Sequence, residues 1–166
     1  AAERGLPNLR TTVDALPVLI SEPAIELFEK YSVFSAREMH SRYDIGLEQY
    51  AMSVNVEARL TFEMGKTMVL PAALRYQTEV ALNVGALIAA QVPVSGRLAS
   101  LRIALAALGE AVAGGAGLDV HDAARYARDS LIPAIAAVRE AADSLEGVVA
   151  DDLWPLPTYQ EMLHIL

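Results

Sequence analysis

The side chains able to do chemistry in this 166-residue chain are few and scattered. Histidine occurs three times, at His40, His121 and His164, and cysteine is absent. Disulfides, thiolate nucleophiles and thiolate metal sites are therefore excluded, and an intracellular origin is the expectation. Glu161-Met-Leu-His164 matches the Glu-x-x-His element of helical di-metal centres, but such centres need two elements of this kind plus two further glutamates, and there is no second copy. His40 and His121 lack the partner spacing of a zinc site and read as surface or helix-end residues. Glu48, Glu57 and Glu63 share one helix-forming stretch and make a candidate carboxylate site, yet acid–base work needs opposed carboxylates, and solvated or ion-paired positions are the simpler reading. Gly114-Gly115-Ala-Gly117 follows a helix rather than a strand and carries no Gly-Lys-Ser/Thr, so it reads as a turn and not a phosphate cradle. No catalytic, cofactor-binding or metal-ligating residue is assigned.

The elements that would position any site are helices. Hydrophobic residues make up 54 % of the chain, largely alanine and leucine, with few aromatics, which favours close helix packing over a sheet. Ser35-Ala-Arg-Glu38 is a capping box and predicts a helix from Ala36. That helix runs on to about Gln91 with Pro71 in its middle. Met39, Tyr43, Leu47, Tyr50 and Val54 form one apolar row, and Met52, Val56, Leu60 and Met64 a second beside it, which predicts broad burial. A straight helix of this length, roughly 80 Å, does not fit a compact domain, so a kink or break near Pro71 and a protruding arm are both expected.

Shorter elements surround it. Ser21 and Pro23 mark the start of a short helix ending near Tyr31 and crossing the base of the long one. Val92 to Gly96 reads as a turn, with Ser95 or Gly96 capping the next helix, whose seam is Leu98, Leu101, Leu105, Leu108 and Val112. Asp119 caps a further helix with a stripe from Val120 to Val149 and a kink at Pro133. The fold class is all-α: an elongated antiparallel bundle built on one long proline-interrupted helix, then an extended Trp/Pro-containing tail and a short terminal helix. Residues 1–34 are a lead-in, 35–149 the bundle and 150–166 a docking tail, all one domain.

The net charge of -8 disfavours a nucleic-acid surface and attraction to anionic membranes. Between Glu79 and Arg97 there is no charge, but Asn83, Gln91 and Pro93 interrupt the stretch and its apolar part falls short of the roughly 20 residues a span requires. A buried helix is expected there. The opening Ala-Ala-Glu-Arg, without methionine or leader features, reads as a fragment or processed piece. From the residues alone, the function is that of an acidic helical scaffold or adaptor.

Three blocks point further. They are Gly5-Leu-Pro-Asn-Leu-Arg-Thr-Thr-Val-Asp-Ala-Leu-Pro17, then Arg42-Tyr-Asp-Ile-Gly-Leu-Glu-Gln-Tyr50 with Val54-Asn-Val-Glu-Ala58, and Asp152-Leu-Trp-Pro-Leu-Pro-Thr-Tyr-Gln-Glu-Met-Leu163. Together they resemble the C-terminal region of type III glutamine synthetases. The third block is the most specific, and the alanine-rich middle from Val80 to Ala116 adds little. The ending Gln160-Glu-Met-Leu-His-Ile-Leu departs slightly from the Gly-Glu-Met-Leu-Phe ending associated with the family. The resemblance implies a cytoplasmic parent enzyme that joins ammonia to glutamate through a γ-glutamyl phosphate, using ATP and a divalent cation, Mg or Mn. It implies that this chemistry lies in an upstream catalytic domain, and that the partners are that domain and other subunits of a homo-oligomer. Asn55, Glu57, Trp154, Pro155, Pro157, Tyr159 and Glu161 match family-signature positions, with packing and docking roles implied.

Overall fold

A computed structural model describes residues 2–87, 94–157 and 159–163, and every regular element among them is helical. The chain divides into two compact units, Ala1–Val56 with Gly115–Ile132 and Glu57–Gly114 with Pro133–Leu166. It is an all-α helical bundle built on a long interrupted helix, as the capping and periodicity predict.

In the first unit, α1 (Thr12–Ala15) leads through a 3₁₀ segment, Leu16–Ile20, to α2 (Glu22–Lys30). Pro23 lies in the first turn of α2 as expected, but the Ser21 hydroxyl donates backwards to the Val18 carbonyl at 2.8 Å and caps nothing. The local 3₁₀ turn offers it a nearer acceptor.

Helix α3 (Ala36–Met64) starts where the capping box places it. The Ser35 amide donates to Glu38 Oε2 at 2.8 Å, and the Glu38 amide to Ser35 Oγ at 3.4 Å. Glu29 of α2 adds a third acceptor, taking the Ala36 amide at 3.0 Å. The Ser35 amide, and after it the Ser35 hydroxyl donating to Oε2 at 2.7 Å, hold the Glu38 carboxyl below its ordinary range. Asp119 likewise caps α6 (Val120–Tyr126) by accepting from the Asp122 amide at 2.8 Å.

The two prolines do not end their helices. A five-residue π turn, Gly65–Val69, precedes α4 (Leu70–Leu87), and another, Ala127–Leu131, precedes α7 (Ile132–Glu146). In each case proline is the second residue of the following helix, at Pro71 and Pro133. The amide just before it, from Leu70 or Ile132, reaches back five residues to Gly65 or Ala127. Proline lacks an amide and its ring clashes with the carbonyl four residues back. Widening the preceding turn by one residue relocates that carbonyl, and the helix continues in a new register. At the first bulge the Thr67 hydroxyl also donates to the Glu63 carbonyl at 2.6 Å.

In the second unit α4 packs on α5 (Val94–Gly114), and the first π turn also touches α5. The predicted seam is correct: Leu98, Leu101, Leu105 and Leu108 are buried and Val112 half-buried. Ser95 and Gly96 lie inside α5 and do not cap it. Leu131, Val138, Leu145 and Val149 are buried on the later stripe, as read. Arg97 donates to the Ser144 carbonyl at 2.6 Å, linking the start of α5 to the end of α7. The turn after α5 includes Gly117 at φ +80, a conformation glycine adopts without a Cβ clash.

Candidate functional site

Glu48, Glu57 and Glu63 are all exposed, which agrees with the simpler reading of them as solvated positions on α3. Among the described residues no group of three His, Asp or Glu side chains comes together so as to hold a metal ion. His40 is exposed. His121 has partners that its spacing did not reveal: Nε2 lies 3.6 Å from Asp44 Oδ1, and the ring meets Tyr43 at 5.5 Å between centroids. Both contacts join the first turn of α6 to α3. His164 lies outside the described residues. No helix among the described residues is long and apolar enough to cross a membrane.

The signature positions sit on separate elements. Asn55 is half-buried on α3, and its amide donates to the Ala51 carbonyl of its own helix at 2.9 Å. Glu57 is exposed two residues on. Trp154 and Pro155 are half-buried after a 3₁₀ turn, Asp151–Leu153, that rests on α4, while Pro157 is exposed. Glu161 is exposed in α8 (Tyr159–Leu163), as are its neighbours Met162 at 52 % and Leu163 at 80 %. Tyr159 lies within α8, and its side chain is outside the description.

What the fold builds instead is an exposed apolar surface on α3. The second apolar row of α3 was expected to be buried beside the first, yet Met52 is 62 % exposed, Val56 65 % and Ile45, in line with them, 49 %. Met39, Leu47, Ala51 and Val54 are buried. With successive residues turned by about 100°, the exposed and buried rows fall roughly half a turn apart. A single layer of packing covers one of them. A shallow depression of about 520 Å³ continues the exposed face toward the start of the helix, lined by Glu38, Ser41, Arg42, Ile45, Gly46 and Gln49.

The N-terminal lead-in is fastened beside this face. Leu16 lies across Gly46 so closely that a Cβ there would sit 3.2 Å from Leu16 Cδ1. Asp14, at the end of α1, accepts from Arg128 at 2.8 Å. Arg128 also forks onto Asp129 at 2.7 and 2.9 Å, which raises the arginine pKa and lowers that of Asp129. Nearby, Arg42 stacks 4.1 Å above the Phe34 ring, which in turn meets Phe28 at 5.7 Å.

Comparison with known proteins agrees with the three sequence blocks. A family model described as the glutamine synthetase C-terminal domain matches residues 1–87, which includes the first two blocks. The third block lies beyond that match but within the alignments to whole relatives. A type-3 glutamine synthetase of Dictyostelium discoideum is 32% identical over 99% of this chain and 25% of its own length. A glutamine synthetase of Butyrivibrio fibrisolvens is 29% identical over 100% of the chain and 26% of its own length. One from Bacteroides fragilis is 25% identical over 98% and 25%. The chain thus spans about a quarter of the length of the curated relatives it matches. With more than half of its residues inside the family model and 99% of its length aligned to a type-3 relative, the chain belongs to the glutamine synthetase C-terminal domain family.

Proposed function

We propose that this chain is the helical C-terminal part of a cytoplasmic type III glutamine synthetase and serves the assembly and stability of that enzyme. The ligase chemistry, joining ammonia to glutamate with ATP and Mg or Mn, belongs to the catalytic domain that precedes it. The observation that carries the structural role is the apolar row Ile45, Met52 and Val56, exposed on a helix whose other side is buried. Exposed apolar side chains at helical spacing are suited to contact with another protein surface. The partners are the preceding domain and the other subunits.

Two measurements test this. The isolated chain, given ATP, magnesium, glutamate and ammonia, is expected to form no glutamine above the uncatalysed background; turnover at an enzymatic rate would overturn the division of labour. Removing this region from the parent protein is expected to lower its native mass or its melting temperature, and a parent unchanged in both would refute the assembly role. The reading also requires an in-frame coding sequence of several hundred codons upstream of Ala1. A start codon immediately before Ala1 would favour the free-standing adaptor instead.

A further inference from the structure

We propose that the outer face of α3, from Ile45 through Met52 to Val56, is the seat of the polypeptide preceding this chain in the parent protein. The inference rests on the reading above that such a polypeptide exists, and it names the surface that receives it.

Three features favour this occupant over any other. The first is the position of the lead-in. The Leu16 contact at Gly46 and the Asp14–Arg128 ion pair fasten residues 14–16 to the first unit, beside the exposed row. Whatever precedes Ala1 is therefore tethered to α3 by a short stretch of chain, at a high effective concentration. The second is the character of the lead-in itself. Leu6, Leu9 and Val18 are exposed, so the incoming chain carries open apolar side chains of its own in the same unit as the helix. The third is length: with relatives about four times as long, most of the parent's residues lie outside this chain. A tethered polypeptide of that length reaches this face before a second molecule does. The open depression at Glu38, Arg42 and Gln49 supplies polar partners at one end of the row.

Methionine oxidation tests the proposal, because the thioether of an accessible methionine converts to the sulfoxide while a buried one is spared. Met52 has a buried reference on the same helix, Met39 at 2 % exposure, and an exposed reference in Met162. In this chain alone, hydrogen peroxide read out by peptide mass spectrometry should oxidise Met52 at a rate near that of Met162 and far ahead of Met39. In the full-length parent, diluted until it is a single chain, Met52 should slow at least tenfold toward Met39. Met52 remaining as reactive as in the isolated chain would overturn the proposal. So would protection that appears only as the parent is concentrated into oligomers, which would assign the face to a second copy. Failure of the prior reading is separate, since it would show as the lack of any upstream coding sequence.

Discussion

Replacing Gly65 with alanine probes how tightly the first π turn is seated. A Cβ at Gly65 would lie 2.7 Å from Leu105 Cδ2 and 3.6 Å from Val138 Cγ1. Leu105 would have to retreat by roughly 0.8 Å to reach an ordinary carbon–carbon contact of about 3.5 Å. It has little room, being 6 % exposed on the buried seam of α5, with Val138 buried as well. Overpacking a filled core costs about 1–3 kcal/mol. Against this, the alanine removes backbone freedom from the unfolded chain, a gain of about 0.4–1 kcal/mol. The net expectation is a loss of about 1 kcal/mol, the difference of those two ranges near their centres. Gly96→Ala is the control: among the described residues no atom beyond its chain neighbours and its own helix backbone lies within 4 Å of its Cβ position, so only the favourable part acts. Urea unfolding followed by the fluorescence of Trp154, the sole tryptophan, reads the unit that contains all of these residues. Gly65→Ala should lower the midpoint and Gly96→Ala should raise it. Equal increases in both would refute the claim that α5 and α7 close around the π turn.

Two other predictions concern the caps and the tail. The carboxyls of Glu38, Asp119 and Asp129 are held below their ordinary values of 4.5, 3.8 and 3.8, by hydrogen bonds from Ser35, Asp122 and Arg128 respectively. In that acid range the unfolded chain binds more protons, so stability is fully present above the ordinary values and falls as pH drops through the lowered ones. Urea midpoints between pH 7 and pH 2 should show this acid limb, and Glu38→Gln should flatten it; an unchanged limb would refute the contribution of that cap. Trp154 is half-buried, so Trp154→Ala should cost well under the roughly 3 kcal/mol of a fully enclosed aromatic. A larger loss in denaturant melts of this chain would mean that the ring is anchored more deeply than its exposure implies.

The local chemistry of the chain determined where helices begin and which seams close. A serine followed three residues later by glutamate satisfies amides of its own first turn, and Asp119 does the same, so neither cap depends on distant contacts. The Leu98 to Leu108 spacing places four leucines on one side of α5 whatever it meets. The family blocks were legible for the same reason, being strings of residues. Tertiary structure decided the rest. Both rows of α3 satisfy helical periodicity, and burial is non-directional, so sequence could not say which row would find a partner inside this chain. Pro71 and Pro133 announced a disturbance, but whether a helix breaks, bends or takes in a π turn depends on what packs on either side. At Gly65 that is Leu105 and Val138, from two other helices. His121 acquired Asp44 and Tyr43 because α6 returns to α3 after more than seventy residues, and no local pattern encodes that meeting. Helix caps are written within four residues of sequence, whereas the exposed face of α3 exists only because the fold covered its opposite side.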